Sequence, residues 1–184
     1  MFKSSLVKIC YLVLIGLILA ILIPAKTITA APTLEVKITR LANDGVTVLE
    51  QKTVTYQWLR DNRPVMGDGT THYYHQGPVF VDDPDPQTQE MLRWNPEEDQ
   101  NVDTKDMGAL RGTNLTVLCD LVGGMSSGDT LKVKSSDGWN RTFAYKNVYQ
   151  YSSREGPMVL TWEKDGKYPD TGYTEGMRLV WFAD

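Results

Sequence analysis

Residues 112–184 constrain the fold most, because capping and turn signals separate short apolar segments there, with few residues between the predicted elements. Thr113 or Asn114 can cap a helix over residues 115–122, since their side chains accept hydrogen bonds from the first turn. Two glycines at 123–124 can end that helix in the left-handed region. The region therefore begins with a short capped helix.

Strands are predicted after this helix. Residues 131–134 alternate apolar and polar side chains, an Asp-Gly turn follows at 137–138, and residues 141–145 alternate again, as in a β-hairpin. Residues 158–162 predict a further strand, and the nearly all-apolar residues 177–182 predict an inner strand. The pattern indicates an α+β fold that is β-rich.

The N-terminal half of the predicted domain starts with a second hairpin. Residues 34–40 alternate in the manner of a half-buried strand, and Asn-Asp-Gly at 43–45 supplies a turn before the apolar residues 46–49. Residues 53–62 predict a short helix, because their apolar side chains share one face and Pro64 prevents continuation.

Residues 66–110 lose all periodicity and are rich in Gly, Pro, Asp and Asn. We predict a long irregular insertion here, within a single domain that spans residues 32–184. Loops of this length are usually functional or mobile, so the insertion is the first place to look for a site.

The N-terminus has the pattern of an export signal. Lys3 and Lys8 precede an apolar run at residues 9–23, and small residues follow at 29–31, which predicts a signal peptide over residues 1–31. The run of about 15 residues is shorter than the roughly 20 that a spanning helix needs. An uncleaved anchor formed by residues 9–23 is the alternative, so the protein is expected to be secreted or held at the cell surface.

Charge and cysteine content exclude some classes of protein. The chain has 19 basic and 23 acidic residues, and the predicted signal peptide removes lysines but no acids. Nucleic acid is therefore not an expected partner, because phosphate binding needs clustered Lys and Arg. Cleavage leaves Cys119 as the single cysteine, so no intramolecular disulfide is expected.

Several motifs resemble the sulfite-oxidase-like, or oxidoreductase molybdopterin-binding, domain. Arg-Gly-Thr-Asn-Leu at 111–115 and Leu-Cys-Asp-Leu-Val-Gly at 118–123 resemble that family's "G-x-x-L-x-x-L-L-x-x-A-G" helix. Residues 131–139 are similar to its strand that ends in Asp-Gly-Tyr. Residues 156–162 and 176–180 resemble its later strands, in the same order. The whole chain resembles exported methanogen proteins built on this domain.

The resemblance implies a sulfite-oxidase-like single domain, but not its usual cofactor. In the family's molybdenum enzymes a cysteine in the loop before this helix binds the metal, and residues 68–110 contain no cysteine. Cys119 lies inside the helix, at a position where the family has an apolar residue. Without a thiolate ligand, molybdopterin is not expected, and no catalytic residue is predicted.

His72 and His75 are the only histidines of the chain. Two imidazoles on one turn could bind zinc, another transition metal or a haem iron, with the acids at 82–85 as further ligands. The alternative is that both rings form hydrogen bonds inside a loop packed by Tyr73 and Tyr74.

Aromatic residues in the predicted loops could form a pocket for an apolar ligand or a sugar. Arg154 would line this pocket or pair on the surface. The predicted ligand-binding residues are His72, Tyr73, Tyr74, His75, Trp94 and Arg154.

Two segments match the acceptor pattern for N-glycosylation, Asn-Leu-Thr at Asn114 and Asn-Arg-Thr at Asn140. Asn140 is the better predicted acceptor, because it follows a tight turn whereas Asn114 is a candidate helix cap.

Three functions remain open from the sequence. The first is an exported cell-surface module that binds a small molecule or an envelope component, with no cofactor and no enzymatic activity. The second is an oxidoreductase or electron carrier with a metal or haem on His72 and His75. The third is a structural protein of the envelope. In each case contact with the membrane is expected only through the N-terminal segment.

Overall fold

A computed structural model describes residues 31–75, 84–91, 97, 99–152 and 155–183, and Ala31–Asp184 form one compact unit. The predicted signal peptide or anchor lies, up to residue 30, outside the described residues. Among the described residues there is no helix of the length and apolar character that a membrane span requires.

The described strands pair antiparallel in three sheets, with the orders β1-β2, β3-β4-β7-β8 and β5-β6. The strands are β1 (Glu35–Leu41), β2 (Val48–Thr55), β3 (His72–Tyr74), β4 (Asp106–Asn114), β5 (Thr130–Lys134), β6 (Asn140–Ala144), β7 (Met158–Lys164) and β8 (Arg178–Trp181). The helices are α1 (Tyr56–Asn62), α2 (Pro86–Met91), α3 (Val102–Lys105), α4 (Leu115–Asp120) and α5 (Tyr145–Tyr149). The predicted mixed, strand-rich fold is confirmed at this level.

The N-terminal hairpin predicted around the Asn-Asp-Gly turn is confirmed as β1 and β2. The carboxylate of Asp44 accepts hydrogen bonds from the N–H groups of Val46 (2.9 Å) and Thr47 (2.8 Å), which fixes the turn. The predicted helix start at residue 53 is wrong, because β2 continues to Thr55. The hydroxyl of Thr55 then accepts from the N–H of Trp58 (3.2 Å) and caps α1.

Strand β4 is the main correction to the predicted irregular insertion. It occupies the middle of the four-stranded sheet and buries Ala109 and Leu110, where residues up to 110 were expected to be irregular. Gly108 and Gly112 are typical of loops, but in this chain they lie within the strand. A Cβ on Gly112, at a bulge opposite β7, would lie 2.4 Å from the carbonyl oxygen of Leu160.

Other parts of the expected insertion also have regular structure, namely β3, α2 and α3. Each of these elements is six residues or shorter, too short to produce a readable hydrophobic period.

Apolar side chains cover the four-stranded sheet on both faces. This explains why residues 177–182 were wrongly predicted to form an inner strand. One cluster contains Leu59, Leu118, Met158 and Trp162 with their neighbours, and the other contains Leu110, Val159, Val180 and Phe182. Strand β8 contributes to both clusters. Its sequence is therefore as apolar as that of an inner strand, although β8 is an edge strand of the four-stranded sheet among the described strands.

Helix α4 is capped as predicted, by the Asn114 side chain, which accepts from the N–H of Thr116 (3.0 Å). It ends at Asp120, two residues before the predicted end, and Gly123 and Gly124 have the expected positive φ of +92° and +71°. The β5–β6 hairpin is confirmed. Helix α5 was not predicted, because Tyr145 was assigned to the preceding strand.

Candidate functional site

The candidate site is built around His72 on the edge strand β3, opposite Ala109 of β4. Its Nδ1 lies 2.8 Å from Oδ2 of Asp106, at the start of β4. The Asp106 carboxylate also accepts the N–H of Gly108 at 2.7 Å. The His72 side chain remains 45% exposed, so the ring is oriented on one side and open to solvent on the other.

The ionisation of Asp106 follows from its surroundings. Burial acts to raise the pKa of Asp106, but hydrogen bonds from Gly108 and His72, together with the charge of Lys164, outweigh it and lower the pKa. Asp106 is therefore ionised at neutral pH. Because a carboxylate only accepts hydrogen bonds, Nδ1 of His72 carries a proton and Nε2 is the nitrogen available to a ligand.

Sequence reasoning found His72 but missed Asp106. The two residues are 34 positions apart, and Asp106 looked like one of many acids in an unpatterned segment. Only the pairing of β3 with β4 brings them together.

Tyr73 and Tyr74 follow His72 on the strand and are both half-buried. The ring of Tyr73 stacks on Phe182, with centroids 3.8 Å apart and an interplanar angle of 17°. Tyr73 thus packs against the second apolar cluster. Tyr74 lies opposite Asp106 in the strand register.

His75 is exposed, and its backbone N–H donates to the carbonyl oxygen of Lys105 at 2.7 Å. The segment that carries both histidines is extended, not a helical turn. Successive side chains of a strand point to opposite faces, so a spacing of three no longer favours a shared face. Within the described ranges, His, Cys, Asp and Glu form no group of three or more that could hold a metal ion.

Several predicted site residues cannot be placed. Trp94, Arg154 and the acids at 82–83 lie outside the described residues. Glu155, beside Arg154, is engaged locally, because its carboxylate accepts from the N–H of Ser152 at 3.0 Å and from the Asn147 amide at 3.2 Å.

Cys119 lies in α4 within the first apolar cluster and is 5% exposed. Burial, reinforced by the charge of Asp120, raises the pKa of its thiol to about 11. A buried, protonated thiol is neither a nucleophile nor a metal ligand. Among the described residues, Cys119 therefore does not fit the role of a cysteine ligand to molybdenum.

A second charged pair was not predicted. Glu163 on β7 is almost fully buried and lies 3.4 Å from the guanidinium of Arg111 on β4. The same guanidinium donates to the carbonyl oxygen of Asp68 at 2.6 Å. Through these two contacts Arg111 connects the segment before β3 to β7, and this stabilises the position of the strand that carries His72.

The two candidate glycosylation sites differ in their surroundings. Asn140 is exposed at the start of β6, and its amide donates to the carbonyl oxygen of Gly138 at 3.3 Å. Asn114 is half-buried and engaged as the cap of α4.

Comparison of the chain with protein-family models, with curated proteins and with solved structures finds no match.

Proposed function

We propose that the chain is an exported binding module on a sulfite-oxidase-like domain, with its ligand at the edge of the sheet formed by β3. The observation that carries the proposal is the hydrogen bond between His72 and Asp106. An imidazole that is oriented by a carboxylate on one side and half exposed on the other is a preorganised polar contact.

The chemistry of this contact defines the kind of ligand. With Nδ1–H donated to Asp106, the neutral ring of His72 accepts a hydrogen bond at Nε2, and the protonated ring donates one. Hydroxyl groups can meet both states, because they donate and accept. A small hydroxyl-rich molecule, such as a sugar of the cell envelope, is therefore the ligand class that the site would take.

The sulfite-oxidase-like part of the proposal rests on the order of elements from β4 to β8 and on the motifs within them. Helix α4 follows β4 at the position of the family's helix motif. Cys119 is the one cysteine that remains after cleavage of the predicted signal peptide, and its burial makes the thiol unavailable to a metal. This favours a binding function for the domain over metal-dependent catalysis.

Ligand-detected NMR with a defined set of mono- and disaccharides tests the binding proposal. At least one sugar is expected to bind the 31–184 unit, and His72→Ala is expected to abolish that binding. Asp106→Ala should weaken it, because the Nδ1–H of the ring loses its acceptor. Lys132→Ala, a change on the exposed side of β5, is the matched control. Binding that survives in His72→Ala would refute the proposal.

A second candidate, a metal- or haem-dependent oxidoreductase or electron carrier, is favoured by one feature of the same pair. Histidines that bind metals commonly donate their other ring N–H to a carboxylate, as His72 does to Asp106. Metal analysis of the purified protein distinguishes the two candidates. A bound transition metal that disappears in the His72→Ala, His75→Ala double variant would support this second function.

A further inference from the structure

The outer edge of β2 is an accessible hydrogen-bonding surface of the described fold. Strand β2 is eight residues long, and among the described strands it pairs only with β1. Except for Val54, its residues are exposed. An open edge of this length can accept another strand.

The alternation of hydrogen-bonded and non-hydrogen-bonded pairs in the hairpin shows which backbone groups of β2 face away from β1. The N–H of Tyr56 donates to the carbonyl oxygen of Leu34 at 3.0 Å, so these two residues form a hydrogen-bonded pair. In an antiparallel ladder every second pair is of this type. Gln51 and Thr53 fall on the other pairs and direct their N–H and C=O groups away from β1, whereas Leu49 is the extra residue at a bulge between the Arg40–Glu50 and Leu41–Val48 pairs.

The chain just before β1 is covered by the segment that precedes β8. The N–H of Met177 donates to the carbonyl oxygen of Thr33 at 3.4 Å. A Cβ on Gly176 would lie 2.5 Å from the backbone nitrogen of Thr33. A strand that adds to this hairpin is therefore better accommodated on β2.

The charges of β2 complement those of a second copy of the same strand. Glu50 and Lys52 flank Gln51 symmetrically, their side chains are 44% and 48% exposed, and within one strand their charged groups lie 3.7 Å apart. When two copies run antiparallel with Gln51 opposite Gln51, Glu50 of each copy faces Lys52 of the other. Opposite charges directly across a sheet are favourable, whereas like charges are unfavourable.

The same charges reject the neighbouring registers. A shift of the pairing centre by one residue in either direction places Glu50 against Glu50 or Lys52 against Lys52. Charged residues on an edge usually prevent pairing. On β2 they oppose the shifted registers and favour one.

The favoured register also covers apolar surface. Val46, Val48 and Leu49 at the hairpin tip are 79%, 54% and 56% exposed. Counted along the strand across the bulge at Leu49, Val48 of each copy comes opposite Val54 of the other, and Val54 packs against the first apolar cluster. Both charge and apolar contacts thus point to the same arrangement.

We propose that the protein forms a symmetric dimer through β2, with Gln51 on the two-fold axis. The two hairpins then make one four-stranded antiparallel sheet in the order β1-β2-β2-β1. Gln51 of the two copies forms a hydrogen-bonded pair on the axis, which supplies two hydrogen bonds, and Thr53 of each copy lies opposite Leu49 of the other. Residues 50 and 52 form the closely spaced pairs between them, where side chains interact most strongly.

Sedimentation equilibrium of the 31–184 unit, from about 1 μM to about 1 mM, measures the dimer. Glu50→Lys and Lys52→Glu each replace two attractive pairs by two repulsive ones, and each is expected to weaken dimerisation about tenfold to a hundredfold. An equimolar mixture of the two variants should recover it, because every facing pair is then opposite in charge. The double variant Glu50→Lys, Lys52→Glu should also dimerise.

Lys37→Glu on β1 is the control, since it changes the net charge as Lys52→Glu does but lies away from the axis. Circular dichroism confirms that each variant is folded. A monomeric wild-type protein over this range would overturn the proposal, as would full dimerisation of Glu50→Lys alone.

A covalent test uses the complete chain. Gln51→Cys places two thiols on the axis, at a Cα separation of about 5.5 Å, which a disulfide can span. Mild oxidation should give a linked dimer with Gln51→Cys and none with Thr39→Cys, an exposed position on β1. Equal cross-linking of the two variants would contradict the register.

Discussion

The hydrogen bond between Trp162 and Thr113 is expected to be a measurable contributor to stability. The indole Nε1–H of Trp162 donates to Oγ1 of Thr113 at 3.0 Å, and the two residues are 1% and 0% exposed. Thr113→Val keeps the shape of the side chain but removes the acceptor. The buried indole N–H is then unpaired, which costs about 1–3 kcal/mol.

A double-mutant cycle isolates this term. Trp162→Phe removes the donor and also leaves a space, so this variant alone is destabilised by both effects. In the Trp162→Phe background, Thr113→Val should cost little, because no indole N–H remains to be satisfied. The coupling free energy between the two changes is therefore expected to be about 1–3 kcal/mol.

Urea denaturation followed by circular dichroism provides the four free energies of unfolding in the cycle. Thr130→Val, at an exposed position on β5, serves as the control and should change the free energy of unfolding by less than about 0.5 kcal/mol. A coupling energy near zero would refute the reasoning, because it would mean that Trp162 loses nothing when Thr113 is removed.

Two further predictions follow from single groups. The Cys119 thiol should react about a hundredfold more slowly with a thiol reagent at pH 8 than an ordinary cysteine, since its pKa is raised from 9.0 to about 11; rapid labelling of the native protein would contradict its burial. Hydrogen bonds from the Thr47 hydroxyl and from the N–H groups of Val46 and Thr47 lower the Asp44 pKa from 3.8 to about 2. The stabilisation from ionised Asp44 is thus present above pH 3.8 and lost as the pH falls towards 2. Asp44→Asn should reduce the pH dependence of unfolding in that window, and an unchanged acid profile would disprove the assignment.

The parts of the fold that sequence patterns predicted are those with local signals. The β5–β6 hairpin has period-two alternation on both sides of an Asp-Gly turn. Helix α4 has an asparagine cap and two terminal glycines. Each signal acts within a few residues, so the chain needs no distant partner to reveal it.

Strand β4 and the His72 site could not be predicted in the same way. Strand β4 is covered on both faces and includes Gly108 and Gly112, so it shows neither alternation nor an unbroken apolar run. The orientation of His72 depends on Asp106, which reaches it only after β3 has paired with β4. A short stretch of sequence does not show which distant strand it will pair with.

The pairing of β4 with β7 also bears on how fast the chain folds. Its partners, such as Arg111 and Glu163, are 52 residues apart, so a long loop must close before β4 can pair with β7. Non-local pairings of this kind slow folding to milliseconds or longer, whereas a hairpin such as β1–β2 forms in roughly 1–10 μs. During that delay the apolar strands are open to other chains, which makes the interval just after synthesis the period of greatest risk of aggregation.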